Sequence, residues 1–238
     1  MSYDQGSRWT ARATMPQVGI DVGLRDYMLR VYNYMAGGLA ITGAVAYLAA
    51  ATGFYQAIFG TALYWVVVFA PLALVLLLSF RIQSMSLGAA QVTFWAYAGL
   101  VGLSLSGLFI VYTGASIAQT FFITAATFLA MSLYGYTTRT DLMRFGSFLF
   151  MGLIGIVIAG LVNLFLHSPG LQFAISVIGV LVFVGLTAWD TQRIKEMYWE
   201  GDSSVVAGKK AIMGALALYL DFINLFVILM QFMGQRRD

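Results

Sequence analysis

The chain has 238 residues, of which 61% are hydrophobic and only 10% charged, with a formal net charge of +3. Its apolar residues fall in blocks long enough to cross the hydrocarbon core as helices, which needs about 20 residues each, so an all-α, polytopic membrane protein is expected, with the lipid bilayer as its first partner and none in nucleic acid. Cysteine is absent and histidine occurs once, which excludes disulfides, thiolate chemistry and a histidine metal cluster.

Residues 1–30 are predicted to form a polar arm that carries Arg8, Arg12, Arg25 and Arg30 together with Asp4, Asp21 and Asp26. The arm has no continuous apolar run and so does not read as a cleavable signal peptide; the first span must itself direct insertion. Residues 31–238 then form one transmembrane domain of about seven spans. The blocks run Val31 to Thr52, Thr61 to Phe80 with Pro71 inside, Ala89 to Phe109, Ser116 to Tyr136, Phe145 to Leu166, Leu171 to Asp190, and Ala211 to Met233. Blocks of this length lack the period-two alternation of an outer-membrane barrel. His167, beside Ser168 and Pro169, reads as a solvated loop residue. Gly152, Gly155, Gly160, Gly179 and Gly185 read as small residues that let spans five and six approach other helices closely.

The basic residues set an orientation. Arg81, the pair Arg139 and Arg144, and the group Arg193, Lys195, Lys209 and Lys210 follow spans two, four and six, whereas the alternate connections carry none. This places the N-terminus in the cytoplasm by the positive-inside rule. Arg236 and Arg237 are discordant: either the last block crosses completely, or it is re-entrant and returns the tail to the cytoplasm.

Asp190 and Asp221 fall in or at the end of the last two blocks. An intramembrane carboxylate costs roughly 2.5 to 3.5 kcal/mol on insertion scales, so a functional role is the default hypothesis. Asp221 lies about ten residues into its block, roughly 15 Å along the axis, and Asn224 at i+3 is expected to share its inward face. Its other reading is a single protonated acid bonded to a neighbouring helix. Asp190 closes span six within the string Thr187, Ala188, Trp189, Asp190, Thr191, Gln192, Arg193, and its other reading is an ion pair with Arg193 at i+3. An antiparallel arrangement of spans six and seven, joined by about twenty residues, could bring the two acids together around one shared proton. Arg81, at the same end as Asp190, reads either as a counter-charge or as a positive-inside anchor.

The string Asp21, Val22, Gly23, Leu24, Arg25, followed by Tyr27 to Met35, resembles the bacterial branch of the Bax inhibitor-1 family, also called the transmembrane Bax-inhibitor-motif family. So do the segments Thr187 to Lys195 (TAWDTQRIK) and Ala215 to Phe226 (ALALYLDFINLF), which are the specific ones. The resemblance covers almost the whole chain. It implies a seven-helix bundle with the last helix central, a di-aspartyl pH sensor at Asp190 and Asp221, a gating arginine at Arg81, and a calcium leak across a bacterial inner membrane. Thr187, Asn224 and Arg193 are the supporting polar residues. Calcium is then a transported ion held weakly by the two acids, with no cofactor, no tightly bound metal and no catalytic residue expected.

Two other functions compete. A non-conducting regulator of a membrane protein partner would make its contacts through the arm or through Thr191 to Lys210. An intramembrane aspartyl protease would also place one acid on each of two adjacent spans, but Tyr219 and Leu220 precede Asp221, so the Gly-x-Gly-Asp string of such proteases is missing. A retinal-linked protein is set aside because Lys195, Lys209 and Lys210 are assigned to a loop.

Overall fold

A computed structural model describes residues 21–237. Helix α1 spans Val22–Ala51, a short α2 spans Phe54–Ile58, and α3 spans Ala62–Arg81. Helices α4 (Leu87–Leu105) and α5 (Leu108–Val111) form one interrupted span, followed by α6 (Gly114–Thr137). A 3-10 turn, Leu142–Phe145, leads into α7 (Gly146–Leu166), and α8 (Pro169–Glu196) and α9 (Ser204–Met233) complete the bundle. With α5 and the 3-10 turn joined to their neighbours, 7 helices are long and apolar enough to cross a membrane. No strand occurs among the described residues beyond a single bridge between Tyr112 and Arg236.

Five helix starts are written in the sequence as caps. Asp21, Ser86, Thr113, Ser168 and Ser203 each accept a hydrogen bond from the backbone N–H three residues on, which satisfies a donor that the first turn leaves free. Two of these caps, Asp21 and Ser203, move boundaries away from the apolar blocks. The first helix begins at Val22, and Tyr27 and Met28, which belong to the segment expected as a polar arm, are buried in the core; residues 1–20 of that arm lie outside the described residues. Likewise α8 continues past Asp190 to Glu196 and α9 begins at Ser203's cap, so a connection of about twenty residues shrinks to 197–203. The added turns are amphipathic and pack. Thr191, Gln192 and Ile194 are buried, Lys209 donates to the Gln83 carbonyl at 2.9 Å, and Lys210 bridges the Met197 carbonyl and the Asp202 carboxylate. The Thr191 to Lys210 segment is therefore largely bundle, not a free docking loop, and Lys209 and Lys210 stand in the first turns of α9.

Helix α9 is the hub: it packs against α1, α4, α6 and α8, whereas α3 leans mainly on α4, and α7 on α8 and the 3-10 turn. The outer faces of α3 and α7 present Trp65, Phe69, Phe80, Phe148 and Phe165, as expected of lipid-facing helices. The last span is one unbroken helix of 30 residues, long and apolar enough to cross completely. Beyond Met233, Gln235 accepts from the Thr113 N–H at 3.0 Å and Arg237 donates to the Val111 carbonyl at 2.9 Å, so the tail is clipped to the α5–α6 connection, at the end opposite Arg81, Arg139 and Lys195. The re-entrant alternative is not taken.

Pro71 in α3 has no N–H for the Val67 carbonyl four residues back, and in a bilayer such a carbonyl must find another donor. Ser104 of α4 supplies it, with its hydroxyl 2.8 Å from the Val67 oxygen. Ser104→Ala is expected to cost about 1 to 3 kcal/mol of stability, and markedly less in a Pro71→Ala background, where the helix satisfies its own carbonyl. Thermal unfolding of the four proteins in detergent measures this coupling; equal costs in both backgrounds would refute it.

Candidate functional site at the α8–α9 seam

The two acids meet because α8 and α9 run antiparallel in a register that glycines hold. Near one end a Cβ on Gly179 would strike Ile228 at 2.8 Å, and near the other a Cβ on Gly214 would strike Ile194 at 3.0 Å. Between these two contacts the side chains of Asp190 and Asp221 lie within hydrogen-bonding reach of each other. Both are buried, Asp190 at 8% and Asp221 at 5% exposure. Asp221 Oδ2 has no hydrogen-bond donor among the described residues. Asp190 stands six residues before the end of α8 instead of at its edge.

The other expected residues distribute differently. Arg193, at i+3 on the same helix, is the cation beside Asp190: a guanidinium nitrogen lies 3.7 Å from Oδ1, and its carbon lies 5.1 Å over the Trp189 ring. Arg81 is not the counter-charge. It ends the peripheral helix α3, is exposed, and makes no ion pair among the described residues. Asn224 does not share the inward face; it is exposed and donates to the Leu220 carbonyl of its own helix at 2.8 Å. Thr187 is fully buried one turn before Asp190, but its hydroxyl donates to the Phe183 carbonyl, so it gives Asp190 no hydrogen bond. His167 is an exposed helix cap with a left-handed backbone, φ 50°, and no metal-holding cluster of His, Cys, Asp and Glu occurs among the described residues.

Three features around the acids escaped the sequence reading. A hydroxyl chain crosses the bundle from α1 through α6 to α8: Tyr32 to Ser132 at 2.5 Å, Ser132 to Thr191 at 3.0 Å, and Thr191 to the Thr187 carbonyl at 2.7 Å. Because the last acceptor is a carbonyl, Thr191 must donate to it, Ser132 to Thr191, and Tyr32 to Ser132. The chain therefore locks three helices and delivers no proton to Asp190. Its signal was present as a polar stripe on α6, with Ser116, Thr120, Thr124 and Ser132 at multiples of four residues, all buried. Second, Gln192 ties the approach to α7, accepting from the Leu142 N–H at 2.7 Å and donating to the Thr140 carbonyl at 2.9 Å. Third, Gly135 lets α6 touch the backbone of α8 at Ala188, two residues before Asp190.

Comparison with known proteins agrees with this architecture. The family model described as "Inhibitor of apoptosis-promoting Bax1" matches residues 24–238. An uncharacterized protein of Rickettsia prowazekii is 52% identical over 230 residues, 96% of this chain and 98% of that one. The inner membrane protein YbhL of Escherichia coli is 50% identical over 219 residues, covering 90% of this chain and 94% of its own length. An uncharacterized membrane protein of Streptococcus pyogenes is 35% identical over the same share of this chain, 90%. A seven-helix bundle with a central last helix, together with a match of this length, places the chain in the Bax inhibitor-1 family of membrane proteins.

Proposed function

We propose that the protein is a proton-regulated cation leak, with calcium as the transported ion, in a bacterial inner membrane and with its basic end in the cytoplasm. The observation that carries this reading is the contact between Asp190 and Asp221, two buried carboxyls on the central seam of a membrane bundle. Two ionised carboxylates about 4 Å apart repel by roughly 4 kcal/mol at an effective dielectric constant of 20. One shared proton removes that repulsion and closes the seam; its loss separates α8 from α9 and leaves two bare acids that attract cations. The closed state holds one proton more than the open state, so raising the pH favours opening. Calcium ordinarily takes six to eight oxygen ligands, so two carboxylates and water bind it weakly, which suits passage over storage. Arg193 beside Asp190 is the cation that moves with the gate, in the role first expected of Arg81.

No catalytic role is assigned to the pair. The decisive experiment is calcium entry into vesicles that contain the purified protein, measured across pH. A flux that rises with pH and exceeds that of empty vesicles supports the leak. Flat flux together with stable co-purification of another membrane protein replaces it with the regulator reading.

A further inference from the structure

Helices α1 and α6 stand side by side across a groove, and the Tyr32–Ser132 hydrogen bond divides it. On the side towards the tail is an apolar cavity of about 290 Å³, floored by Phe222, Ile223 and Phe226 of α9; no charge stands at its rim. On the other side is a larger cavity of about 600 Å³ between Arg25, Met28 and Leu29 of α1 and Leu129, Leu133 and Tyr136 of α6.

The larger cavity is amphipathic along its length. Its apolar walls are open to the bilayer, with Leu29, Leu129 and Leu133 exposed at 47%, 64% and 63%. At one end stands the Arg25 guanidinium, exposed and without an ion pair among the described residues. A second positive charge stands against a lining residue: Lys195 of α8 lies 5.2 Å over the Tyr136 ring and donates to the Tyr136 carbonyl at 2.9 Å. Tyr32 and Ser132 close the other end, seven residues and about 10 Å further along α1. Their hydroxyl protons are both spent within the hydroxyl chain, so no free donor faces the cavity there. A cationic mouth, an apolar trough and a donor-free end match a phosphate head followed by a hydrocarbon chain.

We propose that this cavity seats an anionic phospholipid of the leaflet at the basic end, with its phosphate on Arg25 and one acyl chain between Leu29 and Leu133. Basic pockets between spans at this depth hold acidic lipid heads. The seated lipid fills the gap between α1 and α6 and supports the hydroxyl chain that fastens both to α8.

Native mass spectrometry of the detergent-purified protein with added phosphatidylglycerol or phosphatidylcholine tests this. Wild type is expected to retain one phosphatidylglycerol with about fivefold or greater preference over phosphatidylcholine, the effect of one basic side chain. Arg25→Gln should lose the preference and Arg25→Lys keep most of it. Arg144→Gln, at an exposed arginine paired with Asp141, should keep it fully. Leu133→Trp, which fills the trough, should lose retention of both lipids. Equal retention of the two lipids by wild type, or an unchanged preference in Arg25→Gln, overturns the proposal, and Arg25→Lys reads the same contact if Arg25→Gln folds poorly.

Discussion

Replacing Asp221 by Asn should abolish the pH dependence of calcium flux while leaving the protein at least as stable as wild type. The carboxamide keeps the shape of the acid, cannot ionise, and offers an N–H donor at the position where Asp221 Oδ2 now lacks a partner, so it bonds the Asp190 carboxylate at every pH. In wild type, loss of one proton couples to opening by up to 1.36 kcal/mol per pH unit, hence up to about tenfold in flux per unit within the titration range. In Asp221→Asn that slope should fall to zero at a low, closed level. Asp190→Asn should also flatten the profile, but less completely, because Arg193 lies 3.7 Å from Asp190 and loses its partner in this variant. Arg193→Gln should shift the midpoint of the profile without removing it. A pH slope retained in both Asn variants would end the shared-proton gate. Wild-type flux no greater than that of empty vesicles would end the channel reading itself.

The largest structural effect is expected at Gly135, on a different helix from either acid. A Cβ there falls inside the van der Waals shell of the Ala188 carbonyl, 2.9 Å from its carbon and from Cα. Backbone atoms cannot swing away as a side-chain end can, so Gly135→Ala must push α6 off α8. Overpacking typically costs about 1 to 3 kcal/mol, and this site belongs at the upper end because the Ser132–Thr191 hydrogen bond spans the same two helices and breaks with the separation. Reduced yield, a lowered thermal midpoint and a displaced pH profile are expected together. Gly155→Ala is the matched control: nothing lies within 4 Å of its Cβ, so the substitution gains helix propensity of up to about 1 kcal/mol. Similar losses in the two variants would show that the cost comes from glycine replacement in general and not from the α6–α8 contact.

These two sites show where sequence reasoning succeeds and where it stops. The seven spans were legible because apolar blocks of bilayer length have no other stable use. The pairing of the acids was legible through their positions on consecutive antiparallel spans. The counter-charge was not, because charge and membrane depth place Arg81 and Arg193 alike; only the packing of α3 at the periphery separates them. Asn224 failed for a geometric reason. Three residues turn a helix by about 300°, so Asn224 stands roughly 60° from Asp221, and the buried arc of α9, which runs through Gly214, Leu218, Phe222, Leu225 and Leu229, lies on the other side of the acid. Gly135 was hidden because a glycine between two tyrosines has the same appearance whether it meets lipid or backbone. The helix ends moved because caps such as Ser203, which hydropathy ignores, decide where a helix begins.

The hub of this bundle is also the last of its described spans to be synthesised. Until α9 leaves the ribosome, the six earlier helices stand in the bilayer without their hub, and Asp190 lacks its partner Asp221. The hub contacts therefore form only once α9 is in place, and chains truncated before Ser204 should be cleared by membrane quality control instead of accumulating as a six-helix product.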